Sequence, residues 1–369
     1  MAKVKVSGGG RCNVTNACTS IKQLSEAYPR GEKQLKKAFR VFNTVHCRDW
    51  FESRGIELVV QEDQCIFPKS QDSQTIIDCF LGEAKKLGVA IQTKKGVQEL
   101  CKKENQWEIT FIQKGIPKAT FDKIIVATGG SPKRSGLNWL EALGHKIEDP
   151  VPSLFTFNMP GNPVRELMGI VVEKTITSIE GTKLKGDGPL LVTHWGMSGP
   201  AVLKLSAFGA RILANKNYQF AITVNWVNTV NQNEVLSILE NIIRENPQKI
   251  LANYRPYLLP ERLWHFLLDK CELSQQKRWS ELGKKGQNKL INILCRDRHE
   301  VSGKTTFKEE FVTCGGVSLE SINFNTMESK VCPGIYFAGE VMDIDGITGG
   351  YNFQSAWTTG WIAGGLGKS

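Results

Sequence analysis

Residues 335–354, Ile335-Tyr336-Phe337-Ala338-Gly339-Glu340-Val341-Met342-Asp343-Ile344-Asp345-Gly346-Ile347-Thr348-Gly349-Gly350-Tyr351-Asn352-Phe353-Gln354, decide how this chain is read. A continuous apolar run delivers the backbone to Gly339, and glycines 346, 349 and 350 remove the Cβ atoms that would hold a ligand away from the peptide groups. The segment from about Tyr351 to Leu366 predicts a helix, whose free N–H groups and positive dipole end face whatever occupies the loop. Such an end suits phosphate oxygens or the electron-rich edge of a reduced flavin. A capped helix docked on a sheet is the plainer alternative, but it leaves the glycines and the acidic residues before the helix, Glu340 and Asp343 among them, without a role.

Two other glycine-dense loops stand where strand patterns end. In Ser7-Gly8-Gly9-Gly10-Arg11-Cys12-Asn13-Val14-Thr15-Asn16, three consecutive glycines permit close approach to the backbone. Arg11 adds a cationic fork, and Asn13 and Asn16 add amide donors and acceptors. The second, Ala127-Thr128-Gly129-Gly130, follows the apolar run Ile124–Val126, and ligands in open α/β sheets lie at such carboxyl ends of strands.

Outward from these loops the pattern is α/β. A helix is expected over residues 32–54 with Gly55 as its stop, and another from Ser73, a candidate N-cap, to Leu87. Short strands are expected over Val89–Gln92, Gln106–Ile112 and Lys123–Ala127. Asp149-Pro150-Val151-Pro152 reads as a domain crossing. Beyond it come short strands with one small helix after Ser198-Gly199-Pro200, then a helix-rich stretch over 231–298, then strand, turn and helix again from Phe311. The expected division is a discontinuous domain, 1–149 and 305–369, with a β-rich insert over 150–228 and a helical insert over 229–304.

The chain has 369 residues, 41% of them hydrophobic, and a net charge of +10 from 47 basic and 37 acidic side chains. No apolar run is long enough to span a bilayer and no secretion signal opens the chain, so a cytoplasmic protein is expected. Ten cysteines without a Cys-x-x-Cys pair read as reduced thiols, and five scattered histidines make no metal constellation. The basic run Arg30 to Arg40 reads as one solvated helix face. With no zinc-finger or RNP signature, nucleic-acid binding ranks below that bland reading.

Taken in order, SGGGRCNVTN, the ATGG turn, THWGMSGPAVLKLSAFGAR, FKEEFVTCGGV and TMESKVCPGIYFAGEVMDIDGITGGYNFQSAWTTGWIAG resemble the bacterial NAD(P)/FAD-dependent oxidoreductase family, also called aminoacetone-oxidase-like or BaiN-like FAD-binding enzymes. The resemblance runs from residue 5 to the end. It implies a glutathione-reductase-like FAD domain with β-rich and helical insertions. By the same resemblance Thr128, Gly129 and Gly130 lie near FAD, Gly339 and Glu340 meet its ribityl-phosphate region, and Gly349, Gly350, Tyr351 and Asn352 face its ring. Gly8, Gly9, Gly10, Arg11, Cys12, Asn13 and Asp343 complete the expected cofactor set. The family pattern also has an N-terminal Gly-x-Gly-x-x-Gly βαβ unit, which this sequence lacks, so a domain incomplete at its N-terminus is expected.

His194 and Tyr351 are the candidate proton donors, and a structural histidine in an insert is the equal alternative for the first. Cys12 reads better as an inert thiol than as a nucleophile. The expected activity is hydride transfer between flavin and a small organic substrate, with NAD(P)H docking transiently as donor. An oxygen-using oxidase, an inactive or split flavoprotein fragment, and a basic nucleic-acid-associated protein are its rivals. The oligomeric state is not legible.

Overall fold

A computed structural model describes residues 1–305 and 312–367. Residues 307–311 of the FKEEFVTCGGV motif therefore lie outside the described residues. The chain forms two compact units, Met1–Ser153 with Phe307–Ser369, and Leu154–Thr306.

The first unit is built on a four-stranded sheet in the order Ile322–Asn323, Glu328–Ser329, Ile335–Phe337, Ile124–Val126. Its last two strands run parallel, with Tyr336 opposite Ile125. Two apolar runs far apart in sequence thus become neighbours, and both end in glycine turns at the same end of the sheet. Ile124–Val126 is the terminal strand among the described residues, and its Ile125 is 41% exposed.

Several local expectations change here for identifiable reasons. The helix expected over 32–54 is two helices, Glu32–Ala38 and Thr44–Glu52. Asn43 breaks it, because its Oδ1 accepts from the N–H groups of Val45 and His46 while His46 Nδ1 accepts from Asn43 N–H. A reciprocal capping box of this kind favours a new helix start over continuation. The cap of the helix Ser73–Lys86 is Asp72, whose carboxylate accepts from Gln74 N–H at 2.8 Å, while Ser73 is buried and donates to Lys5 O. Val89–Gln92 forms no strand. Asp149-Pro150-Val151-Pro152 lies inside the strand Ile147–Ser153, paired with Val312–Val317. A register shift between Cys314 and Gly316 accommodates the prolines, as bulges commonly do. The unit boundary follows directly, at Ser153 and Leu154.

The second unit is a seven-stranded antiparallel sheet, Asp297–Ser302, Gln219–Asn225, Val171–Ile179, Lys185–Val192, Gly196–Ser198, Thr156–Asn158, Lys304–Thr305. The helix after Gly199 is not small: it spans 16 residues, Pro200–Asn215. It presses so closely on the sheet that a Cβ on Gly186 would sit 2.1 Å from Ala201 O. Helices Gln232–Glu245, Glu261–Lys270 and Gly283–Arg296 contribute Leu239, Trp264 and Leu290 to the same core as Phe157, Ile222 and Trp226 of the sheet. The stretches 150–228 and 229–304, which composition separates, thus share one hydrophobic interior. Buried Asp297 holds this unit's polar centre, accepting from His299 Nε2 at 2.7 Å and Trp226 Nε1 at 2.9 Å and pairing with Lys270.

Candidate functional site

The strand Ile335–Phe337 leads into a 3₁₀ turn, Gly339–Val341, and then into the loop before the helix Tyr351–Gly364. Asn352 closes that loop: its Oδ1 accepts from Gly346 N–H at 2.8 Å and its Nδ2 donates to Gly346 O at 2.9 Å. Gly349 and Gly350 adopt φ of +121° and +87°, conformations that disfavour any side chain. Gly350 brings no capping side chain, and the first intrahelical bond runs from Gln354 N–H to Gly350 O. The N–H groups of the first turn therefore have no acceptor within the helix.

The N-terminal glycine loop is stitched to this helix start across more than three hundred residues. With the Asn13 amide oriented so that both its ends are satisfied, its Oδ1 accepts from Gly350 N–H at 3.0 Å while its Nδ2 donates to Thr15 O at 2.9 Å. Asn16 Nδ2 donates to Gly349 O at 3.0 Å, and Trp357 Nε1 donates to Val14 O at 2.9 Å. Buried Thr15 donates to Gln354 Oε1 at 2.6 Å, and Gln354 in turn donates to Thr358 Oγ1. Residues 2–6, just before the glycines, are helical where the end of a strand is expected. The chain then turns through left-handed Gly8 and Gly9, and Cys12 also has a positive φ of 62°. A Cβ on Gly9 or Gly10 would meet nothing within 4 Å, so these two leave backbone open to a ligand. Arg11 is held by its own loop: its Nε donates to Gly8 O at 3.0 Å and its guanidinium lies 4.4 Å over the Phe67 ring.

The ATGG turn joins the same site through Glu340. A Cβ on Gly130 would fall 2.9 Å from Glu340 Oε1 and 2.7 Å from Thr313 Oγ1. Glu340 Oε1 accepts from Thr313 N–H at 2.9 Å, and its Oε2 pairs with Lys3. The Thr313 hydroxyl is buried there with no hydrogen-bond partner among the described residues. Such an orphan is costly unless a polar group comes to meet it. Gly129 has φ of +78° with open space around it, and Thr128 is exposed.

Open glycine backbone, an uncapped helix start and an orphaned hydroxyl beside a carboxylate together suit a flat ring on a polyhydroxyl arm. These features fit the ring and ribityl part of FAD. Gly9, Gly10, Gly349, Tyr351 and Asn352 would border the ring, and Glu340 with Thr313 would meet the ribityl hydroxyls.

Tyr351 packs edge-on to Tyr28 at 6.1 Å, and burial pushes its phenol up to about 12. It is a neutral donor at ordinary pH. Burial likewise pushes the Cys12 thiol up to about 11, which keeps it un-ionised and unreactive. Asp343 anchors the loop through its backbone, N–H to Val317 O at 3.0 Å. His194 belongs to the other unit, exposed in a turn where its carbonyl accepts from Arg165 Nε at 2.7 Å and its ring stands 4.2 Å from that of Trp195.

Sequence reasoning missed the pair that braces the site from behind. Arg30, expected on a solvated face, lies largely buried and binds the fully buried Asp345 with both arms, and Ser153 Oγ donates to the same carboxylate at 2.6 Å. Burial raises the Asp345 carboxyl above its ordinary value although Arg30 and Ser153 pull the other way. Nothing local marks this pair; the only sign was an acidic residue inside an apolar, glycine-bounded run.

The fold and site together define a Rossmann-type α/β protein whose glycine turns lie together in the first unit. The chain matches the HI0933-like protein Rossmann domain over residues 1–366, and it belongs to that family, a group of flavoprotein oxidoreductases. It is 28% identical to the ribosomal RNA dihydrouridine synthase of Escherichia coli, over 97% of this chain and 87% of that protein. The Haemophilus influenzae protein of the same name is 27% identical over 97% of this chain and 88% of its own length. The 3-dehydro-bile acid delta(4,6)-reductase of Clostridium scindens is 24% identical over 98% and 88%. The family expected from the motifs is the family found. Among the described residues no helix is long and apolar enough to cross a membrane, and no cluster of three or more His, Cys, Asp or Glu could hold a metal.

Proposed function

We propose that this protein is an FAD-dependent reductase of carbon–carbon double bonds conjugated to a carbonyl, with the uracil base of RNA as its substrate class. The observation that carries the reading is the hydrogen-bonded joining of Gly349 and Gly350 to Asn16 and Asn13, which sets open glycine backbone beside an uncapped helix start. The names of the relatives support the bond type, since a dihydrouridine synthase and a delta(4,6)-reductase both describe saturation of such a bond. The charge of +10 supports a polyanionic carrier for the base.

Saturating this bond requires a hydride at the carbon β to the carbonyl and a proton at the α carbon. FAD, when bound and reduced by NAD(P)H, would supply the hydride. Tyr351, whose phenol burial keeps protonated, is the proton donor of this reading. The first-turn N–H groups of the helix Tyr351–Gly364 stabilise negative charge at the ring edge. Glu340, which pairs with half-exposed Lys3, would hold hydroxyls of the ribityl arm. A glutathione-reductase-like arrangement of the cofactor domain, with NAD(P)H as transient donor, belongs to the same proposal.

The test is anaerobic. Protein supplied with FAD and NADPH should bleach its flavin band, and uridine-containing RNA or a small conjugated enone should restore it. Restoration by oxygen alone, with neither acceptor effective, would establish an oxidase instead.

A further inference from the structure

Resting on the RNA part of that reading, the structure assigns the docking of the substrate's phosphodiester backbone to a basic groove on the first unit. The groove, of about 330 Å³, is lined by Lys33 and Lys37 from the helix Glu32–Ala38, and by Lys330, Phe324, Asn325 and Glu320 from the segment before the strand Ile335–Phe337. Three lysines from two separate segments thus converge on one concavity against a single carboxylate. Lys36 and Arg40 extend the positive surface along the exposed side of the helix and the turn after it.

A solvated helix face alone does not bring Lys330, from a separate segment, into the same concavity as Lys33 and Lys37. Some lysines of this unit find carboxylates, as Lys69 finds Glu57 and Lys118 finds Glu108. Lys33, Lys36, Lys37, Arg40 and Lys330 form no ion pair with a carboxylate among the described residues. Lys330 Nζ is instead oriented by Glu320 O at 3.0 Å, which leaves two of its three protons for other acceptors. Phe324 is half-buried against the core, so its ring is fixed, and exposed Asn325 stands beside it. Fixed cations with a rigid aromatic ring and an amide suit a single-stranded nucleic acid, with phosphates on the lysines and a base against the ring.

The groove is also coupled to the cofactor loop within the same unit. Arg30, at the foot of the lysine-bearing helix, grips Asp345, and Gly31 packs so closely on Ile344 that a Cβ would lie 2.9 Å from its side chain. Tyr28 Oη donates to Tyr351 O at 2.6 Å, and Ile347 N–H donates to Ala27 O at 2.9 Å. The helix that would hold phosphates is therefore braced against the loop that would present the ring.

The experiment measures affinity for a uridine-rich single-stranded RNA across a salt series, comparing the native protein with the triple variant Lys33→Glu, Lys37→Glu, Lys330→Glu and the triple arginine variant. Flavin content and reduction of a small enone are followed in parallel. Single-stranded contacts contribute about 0.7 each to the slope of log affinity against log salt, so losing three should flatten it by about 2. The glutamate variant should also lose at least about tenfold in affinity, with the arginine variant unchanged and flavin content and enone reduction intact in all three. An unaltered slope and affinity in the glutamate variant overturns the groove. A native protein that reduces the enone but binds no RNA at low salt, or that captures only an acidic polypeptide, overturns both the groove and the RNA substrate while leaving the flavin reductase standing. Lysine-dependent RNA binding by a protein that takes up no flavin upholds the groove and sinks the reductase.

Discussion

Replacing Gly350 with alanine should damage this site more than any other single added methyl group in its glycine turns. Gly350 sits at φ +87°, where an L-residue costs about 1–2 kcal/mol. The new Cβ would lie 2.4 Å from Thr15 O and 2.8 Å from the Asn13 side-chain amide, and the nearer of these is main chain that cannot swing aside. Overpacking of that kind costs about 1–3 kcal/mol, and relief by separating the two segments would cost a further ~1 kcal/mol for the Asn13 bond to Gly350 N–H. The total is about 3–6 kcal/mol, divided between lost stability and lost flavin affinity. Two comparisons isolate the close contact. Gly9→Ala has a similar left-handed backbone but open space, so about 1–2 kcal/mol is expected from conformation alone. Gly360→Ala lies in the last helix with nothing within 4 Å and should be neutral or stabilising by ~1 kcal/mol. Urea unfolding and a flavin fluorescence titration of each variant provide the readings. If Gly350→Ala proves as mild as Gly9→Ala, the stitched geometry of the two loops is wrong.

Arg30→Ala should cost about 3–5 kcal/mol by leaving Asp345 buried and unpaired. Because burial raises the Asp345 carboxyl in the folded state, this group's contribution to stability falls as pH rises from 3.8 through the folded value. Removing Arg30 raises it further, so melting curves should show the variant's deficit shrinking on acidification, and a deficit independent of pH counts against the pair. Tyr351→Phe should keep flavin content and lower substrate reduction about 10²-fold or more. Equal losses in His194→Ala with none in Tyr351→Phe would transfer the proton donor to the other unit. In native protein the exposed Cys101 should be alkylated rapidly and Cys12 scarcely at all, as mass spectrometry of labelled peptides would show.

The sequence revealed what depends on local chemistry. Apolar runs bounded by glycine, such as Ile335–Phe337 before Gly339 and Ile124–Val126 before the ATGG turn, are strands in the structure, and they lie side by side. The helix after Gly349-Gly350 is likewise where the glycines place it. Side-chain competition for the backbone was harder to see. Asn43 caps a new helix in the middle of an unbroken apolar period, and the prolines at 150 and 152 enter a strand that bulges at Asp149 and Pro150 opposite Gly315. Contacts made only in three dimensions had no sequence signature, as with Asn13 and Gly350, 337 residues apart by their numbering, and Arg30 with Asp345. The basic run from Arg30 to Arg40 shows both limits, since Arg30 is buried in an ion pair while Lys33 and Lys37 line a groove.

The most direct test of the account is a flavin titration of the native protein beside Asn13→Ala, followed by quenching of flavin fluorescence. The native protein should bind FAD saturably, and loss of the Asn13 bond to Gly350 should weaken binding about tenfold, corresponding to the ~1.5 kcal/mol upper range of one hydrogen bond. Saturable binding that is identical in the two proteins, or no quenching in either, would show that these loops do not form a flavin cradle.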